Sequence, residues 1–189
     1  MNKIFAIVGM CGSGKSVACD VLREQGWHYI RFGQLTIDAL LKAGQEITPE
    51  NEKKMRENLR REHGMAVFAH LSIAKIDAAY KQQHIVIDGL YSWSEYKVLK
   101  EKYGSVLKVL AVFAPPTRRY ARLAERVHDA TDTDNRNRVL TPEQARARDY
   151  AEIENIEKGG PIAMADYTII NTATVEDLKQ AVREIINAE

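Results

Sequence analysis

The sequence predicts a three-layer α/β fold, in which helices cover both faces of a five-stranded parallel sheet. Five apolar runs of strand length alternate with helical periodicities along the 189 residues. The runs are nearly continuous in apolar residues, as in strands buried on both faces. A glycine-rich turn over 9–16 follows the first run and precedes the first helix.

Each element has its own justification. Lys3-Ile4-Phe5-Ala6-Ile7-Val8 reads as a buried strand, followed by a helix over 17–25. His28-Tyr29-Ile30-Arg31-Phe32 is a short second strand. Helical periodicity then covers 34–44, 49–63 and 65–81, with Thr48 as N-cap and Pro49 in the first turn. His84-Ile85-Val86-Ile87-Asp88 is the third strand, 94–103 a helix, and 106–113 the fourth strand. Pro115-Pro116 break the chain before a helix over 117–127. Residues 128–140 are polar and charged, without apolar periodicity, and read as a mobile loop. Thr141-Pro142-Glu143 restarts a helix reaching about residue 158. A last strand spans 167–170 and a last amphipathic helix 175–186. The length is that of one domain over 1–189. Two segments are extra to the sheet: a helical insertion over 34–81 and a lid region over 128–158. Insertions of this kind form lids and binding flaps.

Composition narrows the function classes. Lys+Arg 27 against Asp+Glu 26 gives a net charge of +1, unlike a general nucleic-acid binder, which is basic overall. No apolar run approaches the roughly 20 residues of a membrane span. No signal-peptide pattern opens the chain. Cys11 and Cys19 make no disulfide framework and have no metal-ligand spacing. A cytoplasmic location with two reduced thiols is expected. The histidines form no pair at metal spacing, and no Ser-His-Asp pattern appears.

Residues 9–16, Gly9-Met10-Cys11-Gly12-Ser13-Gly14-Lys15-Ser16, satisfy the phosphate-binding loop pattern G-x-x-x-x-G-K-[ST] at every position. Gly9, Gly12 and Gly14 allow backbone conformations closed to other residues, so the loop N–H groups can turn inward around a triphosphate. Lys15 supplies a point charge at the β- and γ-phosphates, and Ser16 a hydroxyl for Mg²⁺. The helix N-terminus behind the loop adds its partial positive charge. Cys11, Ser13 and Val17 complete the expected nucleotide-contacting stretch.

Ligands of parallel sheets bind beyond the carboxyl ends of the strands, where Gly9, Phe32-Gly33, Asp88-Gly89 and Ala114-Pro115 fall. Asp88 there can hold Mg²⁺, directly or through water, or orient an acceptor hydroxyl. Arg118, Arg119, Arg122 and Arg126 share one helix, and Arg136, Arg138, Arg146 and Arg148 follow. Guanidinium groups suit the charge spread over a transferred phosphoryl group, although a salt-bridged, solvated helix face gives the same pattern. Arg56 and Arg60, four apart, and Arg31 before Gly33 are acceptor-site candidates, against an ordinary charged helix face. Gly89 and Tyr91 complete that set. Tyr91 and Trp93 either line the acceptor pocket or pack beneath the insertion.

These residues, in this order, resemble the nucleoside and nucleotide kinase branch of the phosphate-loop fold. Ile87-Asp88-Gly89 looks like the strand-end Asp-Gly of adenylate-kinase-like enzymes, and Arg122-Leu123-Ala124-Glu125-Arg126 like the start of their lid. Ala165-Asp166-Tyr167-Thr168-Ile169-Ile170-Asn171 is similar to the last strand of dephospho-coenzyme A kinases. Closer still are proteins labelled dephospho-CoA-kinase-like or adenylate-kinase-related. Their pattern is echoed in Leu59-Arg60-Arg61-Glu62-His63-Gly64-Met65, Val86-Ile87-Asp88-Gly89 and Ala147-Arg148-Asp149. The resemblance implies Arg122 beside the ATP adenine, Asn171-Thr172 bordering the base, Arg126 at the phosphates and Arg148 as a lid arginine. Two departures stand out. Leu90-Tyr91-Ser92-Trp93 lacks the arginine that adenylate-kinase-like enzymes carry after Asp-Gly. Arg31-Phe32-Gly33-Gln34 lacks the aspartate of dephospho-coenzyme A kinases, the first acid being Asp38.

The expectation is an ATP- and Mg²⁺-dependent kinase acting on a small, nucleotide-like acceptor such as a nucleoside monophosphate or dephospho-coenzyme A. The catalytic set is Lys15, Asp88, Arg126 and Arg148. The alternative is a nucleotide-binding regulatory ATPase that acts through a protein partner. A GTPase is disfavoured, since Asn171-Thr172 does not resemble the guanine signature.

Overall fold

The computed structural model describes residues 2–126 and 139–189. Most of the expected loop over 128–140, with Arg136 and Arg138, lies outside the described residues. The strands are β1 (Ile4–Val8), β2 (His28–Arg31), β3 (Ile85–Asp88), β4 (Leu107–Phe113) and β5 (Tyr167–Ile170). They form one sheet in the order β2-β3-β1-β4-β5, with every neighbouring pair parallel. The helices are α1 (Lys15–Glu24), α2 (Gln34–Lys42), α3 (Pro49–His63), α4 (Val67–Tyr80), α5 (Trp93–Tyr103), α6 (Pro116–Ala124), α7 (Pro142–Ile156), α8 (Gly159–Ala163) and α9 (Val175–Ala188).

Side-chain alternation along the strands divides the core into two layers. Ile4, Ala6, Ile85, Ile87, Leu107, Val109 and Ala111 face a cluster that includes Phe68 and Ile76 of α4 and Leu99 of α5. Phe5, Ile7, Val86, Leu110 and Val112 face the other cluster, with Leu22 of α1 and Leu178 and Val182 of α9. The central strands β1 and β3 are buried on both faces, which is why they read as unbroken apolar runs. Each fully buried Ile or Leu contributes about 1.5–3 kcal/mol of transfer free energy.

Helix boundaries follow local chemistry. Thr48 caps α3 by accepting from the Asn51 N–H, with Pro49 next. Ser92, Thr141 and Thr174 form capping boxes at α5, α7 and α9, with Glu95, Gln144 and Asp177 reaching back. Two differences from the sequence reading matter for the site. α1 begins at Lys15, two residues before the expected 17. Gly14, at φ 108°, is its N-cap, so Lys15 and Ser16 occupy the first turn, whose N–H groups have no intrahelical partner. The helix expected to reach residue 158 ends at Ile156. Glu157 then turns the chain with φ 53°, and the five-residue α8 follows. A Gly-Gly-Pro opening hid α8, because those residues favour turns.

Candidate functional site

The strand order brings the ends of β1, β2 and β3 side by side, with Asp88 opposite Arg31 on β2 and Ile7 on β1. The phosphate loop leaves β1 here. Gly9 has φ 142°, and a Cβ on it would stand 2.3 Å from the Val112 carbonyl oxygen. A Cβ on Gly14 would stand 2.5 Å from the Asn171 amide nitrogen. The loop is therefore clasped by β4 and by the turn after β5, and these positions admit only glycine.

Asn171 is a strut of this clasp. Its side-chain amide donates to the Ser13 carbonyl at 2.8 Å. Arg122 donates to the Asn171 carbonyl at 3.0 Å, and Arg118 donates to the Thr172 carbonyl. Arg122, Asn171 and Thr172, expected around an adenine, thus meet beside the loop. Among the described residues the buried Arg122 Nη1 has no hydrogen-bond acceptor.

Arg119 departs from the expectation of a charge-neutralising row on one helix. It is 4% exposed and forms a two-pronged pair with Asp149 on α7, at 3.0 and 2.6 Å. It also donates to the Cys11 and Ala114 carbonyls, each at 3.0 Å. Arg119 therefore bolts α6 and α7 to the phosphate loop, and its guanidinium is used up in doing so. Arg126 stands half-buried at the end of the described stretch after α6.

The bolt places the next turn of α7 over the loop. Arg148 pairs with Glu152 at 3.0 Å, and Lys158 pairs with the other oxygen of the same carboxylate. The Lys158 ammonium also lies 4.4 Å from the centre of the Tyr91 ring. Burial pushes the Glu152 carboxyl up, but Lys158 and Arg148 outweigh it and hold it at about 2. Lys15 donates to the Met10 carbonyl at 2.9 Å. Burial, and then the nearby Lys158 ammonium, lowers the Lys15 pKa to about 8, with Asp88 and Glu152 opposing. Burial, followed by Asp88 and Glu152, pushes the Tyr91 hydroxyl upward, so it stays protonated. Asp88, 8% exposed, accepts from the Tyr29 hydroxyl at 2.7 Å.

Sequence reasoning did not single out Lys158, Glu152 or Tyr29. Lys158 and Glu152 carry no motif, being six residues apart across a helix end. Tyr29 reaches Asp88 only because β2 pairs with β3.

Most of the acceptor candidates meet in a second place. A narrow pocket beside the loop is lined by Phe32, Gly33, Thr36, Arg56, Arg60, Phe68, Gly89 and Tyr91. Arg31 lies at its edge, its Nε 3.4 Å from where a Cβ on Gly33 would stand. Arg56 pairs with Glu52 at 3.2 Å. Arg60 lies over the Phe68 ring at 4.9 Å and faces the buried Glu95 at 3.5 Å. Thr36 Oγ1 and Arg60 Nε are buried without a hydrogen-bond partner among the described residues. Trp93 is a packing residue: it stacks on Tyr96 at 5.0 Å and fills the space a Cβ on Gly160 would need, 2.9 Å away.

Ser16 and Asp88 are hard oxygen donors suited to Mg²⁺. Among the described residues no group of three or more His, Cys, Asp or Glu could hold a metal alone. Ser16 and Asp88 are donors of the kind that Mg²⁺ takes beside phosphate oxygens. No helix of the described residues is long and apolar enough to cross a membrane.

Comparison with known proteins agrees with this architecture. A UPF0200 protein of Sulfurisphaera tokodaii is 34% identical over 184 residues, covering 97% of this chain and 96% of the relative. Another, from Thermococcus kodakarensis, is 32% identical over 187 residues, with the same coverage of each. Among solved structures, a shikimate kinase from Acinetobacter baumannii in complex with shikimate superposes with a TM-score of 0.57 at 18% identity, covering 100% of this chain and 94% of that one. That likeness establishes a phosphate-loop kinase-like fold. The AAA-domain family matches residues 6–164, and with these relatives the chain belongs to that family and to the UPF0200 proteins.

Proposed function

We propose that this protein is an ATP- and Mg²⁺-dependent small-molecule kinase that transfers the γ-phosphoryl group to a nucleotide-like acceptor. One observation carries the reading: Tyr91 is a shared wall. One side of it faces Lys158, Arg148 and Glu152 beside the phosphate loop, and it also lines the pocket of Arg56, Arg60 and Phe68. A donor site and an acceptor pocket that touch through one residue satisfy the proximity a transfer needs.

In this reading the loop amides and Lys15 hold the donor's phosphates, while Arg122 and the Asn171-Thr172 turn border its base. Ser16 and Asp88 would hold Mg²⁺, which would neutralise charge on the donor's phosphates. Asp88 would also orient an acceptor hydroxyl, its carboxylate held by the Tyr29 hydroxyl. Arg148 and Arg126 stabilise charge spread over the transferred group. Arg31, Arg56 and Arg60 draw an anionic acceptor, while Phe32 and Phe68 offer it aromatic walls. A nucleoside monophosphate or dephospho-coenzyme A fits that chemistry. The domain organisation, with acceptor binding over 34–81 and lid over 128–158, belongs to the same proposal.

The test is ATP consumption by the purified protein against nucleoside monophosphates, deoxynucleotides, nucleosides and dephospho-coenzyme A. One class should raise turnover well above background, and Lys15→Ala should abolish it without loss of fold. A flat profile, with slow hydrolysis alone, would replace this reading. The AAA-domain assignment favours a specific second reading, a regulatory ATPase acting through a protein partner. That reading requires partner affinity to change with bound nucleotide.

A further inference from the structure

We propose that Lys158 is a phosphate-binding residue of this site, and that Glu152 is the counter-ion from which a polyphosphate displaces it. The inference rests on the nucleotide-binding reading above and deepens it.

Lys158 is 2% exposed, a burial that lysine tolerates only when paired. Its position is built rather than incidental. Glu157 is the single non-glycine residue with positive φ among the described residues, at 53°. The Lys158 N–H bonds back to the Glu152 carbonyl at 3.2 Å. This turn folds the side chain under α7, against Tyr91, instead of letting it run into solvent. The helix is in turn tied to the loop one turn earlier, through Asp149, Arg119 and the Cys11 carbonyl. Loop, helix and lysine thus share one frame.

The charges in that frame do not balance. Lys15, Arg31, Arg148 and Lys158 are four cations, against the two carboxylates of Asp88 and Glu152. A folding strut would match cation to anion. Surplus cations beside a phosphate loop match a polyanion instead. Glu152 holds both Arg148 and Lys158, so a terminal phosphate with several charged oxygens can compete for both at once. The unmatched charge sits at the loop, and the turn after α7 supplies part of it.

The test measures dissociation constants of Mg·ATP and Mg·ADP for the full chain as wild type, Lys158→Met, Glu152→Gln and Lys15→Ala. Lys158→Met should weaken Mg·ATP roughly tenfold or more, the usual size of a lost charge-assisted contact, and Mg·ADP by less. Glu152→Gln should tighten Mg·ATP while lowering Tm, because it removes the competitor and a buried pair together. A structural role alone moves both variants the same way, so weaker or unchanged Mg·ATP binding by Glu152→Gln overturns the proposal. That variant decides the matter even where Lys158→Met fails to fold. Wild-type affinity in folded Lys158→Met, with binding lost in Lys15→Ala, overturns this inference and leaves the kinase reading standing. A folded wild type that binds neither nucleotide overturns both.

Discussion

Proton uptake on nucleotide binding is the sharpest consequence of the charge arrangement around Lys15. Burial and the Lys158 ammonium lower its pKa from 10.5 to about 8. Below pH 8 the lysine is charged in both folded and unfolded chains, and the folded state bears the whole cost of that charge. Between about 8 and 10.5 the unfolded chain binds more protons, so stability rises with pH. The full shift corresponds to about 3 kcal/mol, and Lys15 is only partly buried, so the expected gain is about 1–3 kcal/mol. Phosphate oxygens beside the ammonium favour its charged form and carry the pKa back toward 10.5. At pH 9 the free protein then carries about a tenth of a proton on Lys15 and the complex nearly a whole one, an uptake of about 0.9 proton; at pH 7 it is about 0.1. Titration calorimetry of Mg·ATP binding at pH 7 and 9, in buffers of different ionisation enthalpy, reads this directly. The titration at pH 7, where Lys15 is already charged in the free protein, is the control. An uptake at pH 9 no larger than that at pH 7 would refute the reasoning.

Other perturbations have signs fixed by the structure. Arg119→Met leaves Asp149 buried without its cation and should destabilise the fold by about 3–5 kcal/mol, seen as a lower midpoint in urea. Glu157→Gly removes a side chain from left-handed backbone and should stabilise by about 1 kcal/mol, raising Tm by about 2–4 °C. Glu152, unfolded value 4.5 and folded value about 2, contributes stability that is complete above pH 4.5 and lost as pH falls toward 2. Glu152→Gln should flatten that acid limb in a series of pH-dependent melts. Asn171→Ala should cost about 1 kcal/mol through its bond to the Ser13 carbonyl and leave the amides at 12–14 exchanging faster with deuterium.

Much of the site follows from short-range pattern. The loop at 9–16 is legible because each glycine answers a local backbone demand, and Asp88-Gly89 because it ends an apolar run. Gly33, Arg56, Arg60, Gly89 and Tyr91, candidates chosen at strand ends and on the insertion, line one pocket. The arginines divide less simply. Arg119, Arg122 and Arg118 look equivalent in sequence, yet Arg119 is a buried bolt and the others hold the turn after β5. Helical spacing gives the face of a residue, not the depth to which that face is covered. Where the resemblance led one to expect an arginine after Asp88-Gly89, the pocket instead has cations from α3, Arg56 and Arg60.

The sequence by itself determined the layer order, the phosphate loop and the strand-end carboxylate, because apolar periodicity and glycine constraints act over a few neighbouring residues. Tertiary structure alone decided which charges meet. Tyr29 reaches Asp88 through the pairing of β2 with β3, and Lys158 reaches Glu152 and Tyr91 through a left-handed turn. Ion pairs form through space at a few ångströms, and no sequence spacing encodes that distance until the chain has folded.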